Sequence, residues 1–191
     1  MKTRLRFTFL SLLYLISSFF PCDNLQAQTE THDFITYDTT FNVGYAGLQY
    51  RFRISRPANM FTPGHPDTAS RPAIITMPGL GEVGTNPANL QKYGPHYWMN
   101  NGWDGSVQLG NGTHYPIIIT VMPSAAYPRG PELTLMMNHL LNTYRIKRNS
   151  VHVAGLSMGG FSWTLMLCHQ ATPGDETGMK LITSVVALQG V

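Results

Sequence analysis

The pentapeptide Gly155-Leu156-Ser157-Met158-Gly159 is the part of this chain best suited to chemistry. A strand-like apolar run precedes it and a helical apolar segment follows it. A serine on such a strand–turn–helix connection is held in a strained conformation with its hydroxyl exposed. Side chains two residues before and after the serine would collide, so Gly155 and Gly159 are the glycines that the turn needs. The pattern predicts Ser157 as a nucleophile; a turn without chemistry is the alternative.

Acyl transfer also needs donors for the oxyanion that forms in the transition state. The backbone N–H of Met158, at the start of the helix, is the first predicted donor. The second should come from the loop after an earlier strand, and residues 78–84 form a glycine-rich loop of that kind. We expect the Leu80 N–H to be this donor, with Gly81 as the next choice; an ordinary glycine turn is the alternative. Glu82 could brace the loop, or it could be a solvated carboxylate.

The chain offers no convincing base for Ser157. His169 is the only later histidine, and 12 residues of helix would carry it away from the serine. The later acids, Asp175 and Glu176, precede the next predicted strand. We expect His152 to pack in a strand, His96 and His114 to lie in loops that could border a pocket, and His139 to lie on a helix surface. No histidine pair has metal-ligand spacing with supporting ligands, so neither a metal site nor a cofactor is predicted.

The elements that must position these residues follow from hydrophobic periodicity. Residues 48–54 alternate between apolar and polar, which predicts a half-exposed antiparallel strand. Continuous apolar runs predict buried parallel strands. We predict strands at 31–38, 41–45, 48–54, 73–77, 117–121, 150–154 and 181–188, the last of them buried. We predict helices at 87–92, capped by Asn86, at 132–144, and at 158–168, the last buried all round. An aromatic loop should hold Tyr93, Tyr97 and Trp98, with Trp103 after it. The order indicates an α/β fold, a mostly parallel sheet with helices on both faces.

The N-terminus has the pattern of a secretory signal. Lys2, Arg4 and Arg6 precede an apolar stretch at 7–20 that is too short for a comfortable membrane span. We expect residues 1–28 to be a signal peptide and 29–191 the mature part, secreted or periplasmic, with no stable membrane span. An uncleaved anchor is the alternative. Lipidation at Cys22 is not expected, because residues 19–21 make a poor lipobox.

Charge and cysteine content exclude other classes of protein. Without residues 1–28 the chain has 10 basic and 9 acidic residues, so no basic surface for nucleic acid is expected. Cys168 then remains as the single cysteine, predicted to be a buried free thiol. No disulfide framework is available, so stability must come from a hydrophobic core.

These motifs together resemble the α/β-hydrolase fold. The resemblance covers about residues 48–190 and rests on Pro78-Gly79-Leu80-Gly81-Glu82, on Tyr93-Gly94-Pro95, and on the Ser157 pentapeptide followed by Gly160. More narrowly, the chain resembles secreted esterases related to polyhydroxybutyrate depolymerases and feruloyl or acetyl-xylan esterases, some of them labelled predicted peptidases. Pro78 stands where that group usually has a histidine.

The resemblance implies a serine hydrolase that cleaves carboxylic esters through an acyl-enzyme on Ser157. Its substrate would be a small-molecule or polysaccharide-linked ester. In this fold the acid and the histidine of the triad follow the serine. We therefore expect both beyond residue 191, with the chain being the N-terminal part of a C-terminally truncated domain that is inactive alone. A serine peptidase of the same fold and a non-catalytic relative are the alternatives.

Overall fold

A computed structural model describes residues 34–43, 47–61, 70–128, 130–168 and 180–188 of the chain. Several predicted features fall outside the described residues. These are the signal peptide at 1–28 with Cys22, the histidine His169, and the acids Asp175 and Glu176.

A six-stranded sheet forms the centre of the described structure, with the order β1-β2-β6-β3-β7-β8. β1 pairs with β2, and β2 with β6, in antiparallel fashion; the remaining neighbours are parallel. The predicted mostly parallel sheet is therefore confirmed. The strands are β1 (Phe34–Asn42), β2 (Gln49–Pro57), β3 (Arg71–Met77), β6 (Ile117–Pro123), β7 (Ile146–Leu156) and β8 (Ser184–Leu188). A separate hairpin pairs β4 (Val107–Leu109) with β5 (Gly112–His114).

Three α-helices accompany the sheet: α1 (Pro95–Asn100), α2 (Gly130–Thr143) and α3 (Met158–Cys168). Short 3₁₀ segments cover Ala58–Phe61, Leu80–Glu82 and Pro87–Gln91. Asn86 caps the last of these as predicted, since its side chain accepts a hydrogen bond from the Ala88 N–H at 3.0 Å. No helix among the described residues is long and apolar enough to cross a membrane.

The two faces of the sheet have different roles because side chains alternate along each strand. One face carries Phe52, Ile75 and Val153 and packs against α2 and α3 to form the main core. The other face carries Thr76, Thr120 and Ala154 and meets α1. Helices thus lie on both faces, as the continuous apolar strands predicted. The parallel strands β3 and β7 end at the same edge, which brings the loop after β3 beside Ser157.

Several predicted elements need correction. The two short strands predicted near the start are one strand, β1. The predicted aromatic loop contains helix α1, which carries Tyr97 and Trp98. The strand predicted as buried at 181–188 is β8, which lies at the edge of the described sheet with most of its side chains exposed.

Helix α3 also differs from the prediction. Its apolar residues extend all round, but one stripe faces outward and exposes Phe161, Leu165 and Cys168. These residues follow Ser157 at spacings of four, four and three, which is one side of a helix. Cys168 is therefore exposed, and the predicted buried thiol is wrong for the described structure.

Candidate active site

Ser157 occupies a single-residue turn between β7, which ends at Leu156, and α3, which begins at Met158. Its φ angle is 50°, a left-handed conformation that residues other than glycine seldom adopt. The backbone is fixed on both sides. The Ser157 N–H donates to the Leu188 carbonyl of β8, and the Ser157 carbonyl accepts from the Phe161 N–H. The strand–turn–helix predicted from the sequence is present, and it leaves Ser157 exposed at the sheet edge.

Glycine at positions 155 and 159 is dictated by backbone contact. A Cβ atom on Gly155 would overlap the backbone of Gly159, and one on Gly159 would overlap the carbonyl of Met77 at the end of β3. A Cβ on Gly160 would lie 2.9 Å from the Gly155 carbonyl oxygen. The start of α3 thus rests directly on the ends of β3 and β7, which places Ser157 above both strands.

The loop after β3 lies against the turn. A Cβ built on Gly79 would be 3.7 Å from the Ser157 Cβ, so the Gly79–Leu80 backbone passes beside the serine. Neither the Leu80 N–H nor the Met158 N–H donates a hydrogen bond to any other described residue. Two N–H groups at helix starts near one serine are suited to binding an oxyanion. Their use in that role remains a prediction.

Glu82 is buried in this loop, so the interpretation as a solvated carboxylate is wrong. Its Oε1 lies 3.4 Å from the Lys92 Nζ, and its backbone carbonyl accepts from the Asn89 side chain at 3.2 Å. A third contact comes from β6, where the Pro123 carbonyl accepts from the Gly84 N–H. The described structure has no hydrogen bond from the loop backbone to the Glu82 carboxylate. The loop is braced by these contacts with the 87–92 segment and with β6.

An aromatic pair that the sequence analysis missed lies next to Ser157. Phe161 is one helical turn after the serine, and Tyr127 packs edge-on against it with ring centroids 6.1 Å apart. Tyr127 has a φ of 53°, and its N–H points to the Met158 Sδ at 3.4 Å. The rings remain 54% and 43% exposed for Tyr127 and Phe161, respectively. The i, i+4 spacing from Ser157 could have identified Phe161, whereas nothing in the sequence marked Tyr127.

A cavity of about 270 Å³ lies on the α1 face of the sheet and reaches Leu156, the residue before Ser157. Trp98 on α1 and Tyr93 just before α1 line one side of it, and Leu156 and Leu188 line it at the strand ends. Thr76 and Thr120 lie at its sheet side. The lining is mostly apolar. Of the four aromatic residues singled out from the sequence, Tyr93 and Trp98 therefore border a cavity, while Trp103 donates its indole N–H to the Ser106 carbonyl.

Among the described residues, none is placed as a base beside Ser157. No described histidine or carboxylate forms a hydrogen bond with its hydroxyl. His152 bonds to Ser184 at 2.8 Å, as expected of a satisfied strand histidine. His114 lies on β5 and bonds to Asn111. His139, expected on a helix surface, is half-buried on α2 and stacks on Phe41, with the ring centroids 4.0 Å apart. Within the described ranges no group of three metal-ligating side chains comes together.

His96 is buried in α1 rather than lying in a loop. It is only 2% exposed, with Nδ1 at 2.6 Å from the Thr120 Oγ1 and Nε2 at 3.1 Å from the Ser55 Oγ. Burial lowers its pKa to about 4, and the nearby Arg53 acts in the same direction while Asp38 opposes it. His96 is therefore neutral at physiological pH, on the face of the sheet opposite α3.

The glycine contacts predict that a methyl group destabilises the fold at position 159 but not at a glycine with open space around it. Gly159→Ala would push its Cβ into the Met77 carbonyl, so we expect a loss of about 3 kcal/mol or more in the free energy of unfolding. Gly110→Ala is the control, since its Cβ would meet nothing within 4 Å and its φ is not positive. Urea denaturation followed by circular dichroism measures both. Equal midpoints for the two variants would contradict the described turn.

His96 predicts acid sensitivity of the fold. Its pKa is about 4 in the folded state against an ordinary 6.5, so the unfolded chain binds more protons between these values. The free energy of unfolding should therefore fall by about 3 kcal/mol as the pH drops from 6.5 to 4. His96→Gln removes this titration and should show a smaller decrease over the same window. Denaturant midpoints at half-unit pH steps measure it, and parallel curves for the two proteins would refute the assignment.

Comparisons with known proteins place the fold but not a family. No protein-family model matches the chain, and no curated protein is similar to it in sequence. Among solved structures, a thermostable esterase aligns with a TM-score of 0.50 and 19% identity over 81% of this chain and 40% of its own. The esterase Est22 aligns with a TM-score of 0.50 and 17% identity over 81% of this chain and 43% of its own.

The chain thus spans less than half the length of the two structures that it resembles. At these identities the likeness concerns the arrangement of strands and helices, not the substrate. Together with the strand order and the turn at Ser157, it shows that the described residues adopt the α/β-hydrolase fold.

Proposed function

We propose that the natural protein is a secreted serine hydrolase that cleaves carboxylic esters through an acyl-enzyme on Ser157. The observation that carries this proposal is the strained Ser157 backbone, at φ 50°, with the Gly79–Leu80 backbone beside it. A serine held in this conformation at a sheet edge has a structural cost, which a purely structural turn would avoid. A second support is the fold shared with structures described as esterases.

The proposed reaction has two steps. The Ser157 Oγ attacks the ester carbonyl carbon while a base takes its proton, and the N–H groups of Met158 and Leu80 stabilise the oxyanion. The C–O bond of the ester then breaks, and the alcohol leaves with the proton from the base. A water molecule attacks the acyl-enzyme in the same way, which releases the carboxylic acid and restores the serine.

The base and its acid partner are proposed to lie outside this chain. No described histidine or carboxylate contacts the Ser157 hydroxyl, and the similar structures are more than twice as long as the part that aligns. A serine hydroxyl without a base is a weak nucleophile, so the 191-residue chain alone should be inactive or nearly so. A non-catalytic relative is the competing interpretation, and it predicts that the natural product has no such pair.

An apolar or aromatic acyl group fits the surface around Ser157 best. Tyr127 and Phe161 lie beside the serine, and the cavity with Tyr93 and Trp98 reaches Leu156, the residue before it. Exposed aromatic rings beside a reactive group provide contact area without charge. We therefore propose a small-molecule or polysaccharide-linked ester, as in the depolymerase and feruloyl or acetyl-xylan esterase group. No cofactor is required for this chemistry.

The proposed location follows from the N-terminal pattern alone. Residues 1–28 have the charge and hydropathy of a signal peptide, so we propose that the mature protein is secreted or periplasmic. Its basic and acidic residues nearly balance, so we propose no nucleic-acid partner.

The serine assignment predicts selective labelling by a fluorophosphonate probe. The natural gene product should be labelled, because the probe reacts with an activated serine, while Ser157→Ala should not be. Ser106→Ala, a serine in a loop remote from the turn, is the control and should label like the unchanged protein. Equal labelling of the Ser157→Ala variant would exclude Ser157 as the nucleophile. Hydrolysis of nitrophenyl esters but not of peptide anilides would separate an esterase from a peptidase.

The aromatic pair predicts acyl-group selectivity. Tyr127→Ala or Phe161→Ala should lower kcat/KM about 3- to 10-fold for an aryl or long-chain acyl ester, since each removes one ring from the pair. The acetyl ester should be much less affected because it does not reach the rings. Leu109→Ala, an exposed apolar residue on the β4–β5 hairpin, is the control. Equal loss on both substrates would show that the rings act on folding rather than on the acyl group.

A further inference from the structure

His96 has no part in the proposed reaction, yet it is a buried titratable group with two side-chain partners. It stands in the middle of a row of hydroxyl groups that crosses four strands of the sheet. The row runs from Thr36 on β1 through Ser55 on β2 to His96, and on through Thr120 on β6 to Thr76 on β3. Each hydroxyl has a single hydrogen to donate, so the direction of one bond restricts the next.

The β3 end of the row sets that direction. The Thr76 Oγ1 donates to the Ile119 carbonyl at 3.4 Å, and a carbonyl can only accept. The single Thr76 hydrogen has two acceptors in reach, this carbonyl and the Thr120 Oγ1 at 3.2 Å. When it goes to the carbonyl, the contact with Thr120 is kept only with Thr120 as donor. In that arrangement Thr120 has no hydrogen left for the imidazole, so the His96 Nδ1–H is the donor in the 2.6 Å contact.

The rest of the row follows from the same count. A neutral imidazole that carries its proton on Nδ1 has Nε2 as an acceptor. The Ser55 Oγ then donates to Nε2 at 3.1 Å, and the Thr36 Oγ1 donates to Ser55 at 2.6 Å. Ser55 is fully buried, and its hydroxyl is satisfied in this arrangement as both donor and acceptor. The Nδ1–H tautomer of His96 is thus the one that keeps all five contacts. With the proton on Nε2, Thr76 would donate to Thr120 and the contact with the Ile119 carbonyl would be lost.

We propose that His96 is a positioning residue: as a neutral imidazole protonated on Nδ1, it fixes α1 against β2 and β6 and so fixes one wall of the cavity beside the Ser157 turn. Helix α1 begins directly after Gly94, whose added Cβ would lie 3.7 Å from the Thr76 Oγ1, and it carries Trp98. Gly94 and Trp98 both line that cavity together with Leu156, the residue before Ser157. The effect on catalysis rests on the proposed function; the tautomer does not.

The surroundings favour the neutral state. Arg53 on β2 and Asp38 on β1 are the charged groups whose fields reach the ring, and they form a salt bridge with each other at 2.8 Å. The residues that β6 and β3 present to this face near the ring, Ile118, Thr120, Ile74 and Thr76, are uncharged. Protonation of Nε2 would require the Ser55 hydroxyl to turn towards Thr36. The Nδ1–H form should therefore persist through the neutral range.

Two-bond ¹H–¹⁵N correlation spectra of the natural gene product test the tautomer directly. We expect a pyrrole-type shift for the His96 Nδ1 and a pyridine-type shift for Nε2 at pH 7, with the signal assigned by its loss in His96→Gln. The opposite pattern, an average of the two, or a charged ring at pH 7 would overturn the proposal. This result does not depend on any activity of the protein.

The matched pair Thr120→Val and Thr120→Ser tests the positioning role. Valine keeps the shape but leaves the buried Nδ1–H without its acceptor, so Tm should fall by about 5 °C or more relative to the serine variant. At a temperature where both are folded, kcat/KM for an aryl ester should be about 10-fold lower in Thr120→Val than in Thr120→Ser. Equal activity in the two variants would overturn the positioning role. If Thr120→Val does not fold, Thr120→Ser with an unchanged tautomer supports it, and a changed tautomer with full activity overturns it.

Failure of this proposal can be told apart from failure of the proposed function. If the Nδ1–H tautomer and the Tm difference are found but Ser157 is not labelled by the fluorophosphonate, the row of hydrogen bonds is correct and the esterase proposal is wrong. If Ser157 is labelled but both Thr120 variants act alike, the esterase proposal is retained and His96 has no effect on the site.

Discussion

Contact between main chains at the start of α3 is the constraint on which the site depends. Gly155 and Gly159 touch the backbone of each other's segment and of Met77, so this helix can begin only where β3 and β7 end together. Ser157 stands between these contacts with a positive φ, and the Gly79–Leu80 loop lies beside it. The turn at Ser157 therefore needs both the parallel pairing of β3 with β7 and glycine at positions 155 and 159.

The two faces of the sheet differ in how they hold their helices. The face towards α2 and α3 is a continuous hydrophobic core, which supplies most of the stability. The face towards α1 carries hydroxyl groups and His96, whose hydrogen bonds have defined directions. Apolar contacts hold helices near a sheet without a unique position, whereas directional bonds select one. The hydrophobic core thus supports Ser157 from one face of the sheet. The hydrogen bonds of the polar face hold α1, the helix that borders the cavity.

Sequence patterns were sufficient for most of the core and for the Ser157 turn, because both follow from local periodicity and from steric limits on glycine. They failed where tertiary context decides. The β8 strand has the composition of a buried strand but lies at the edge of the described sheet, and α3 is apolar on a side that faces outward. His96 was expected in a loop because a six-residue helix that begins at Pro95 has too few residues for a periodic signal. Tyr127 was missed because its place beside Phe161 depends on a loop conformation.

The proposed reaction requires a covalent bond between the acyl group and Ser157. The most direct measurement is to mix the natural gene product with an aryl ester, stop the reaction with acid within the first turnovers, and map the modified peptide by mass spectrometry. The account predicts an acyl group on the peptide that contains Ser157, attached to its Oγ. Release of the acid with no acyl group on Ser157, or with the acyl group on a different residue, would contradict it.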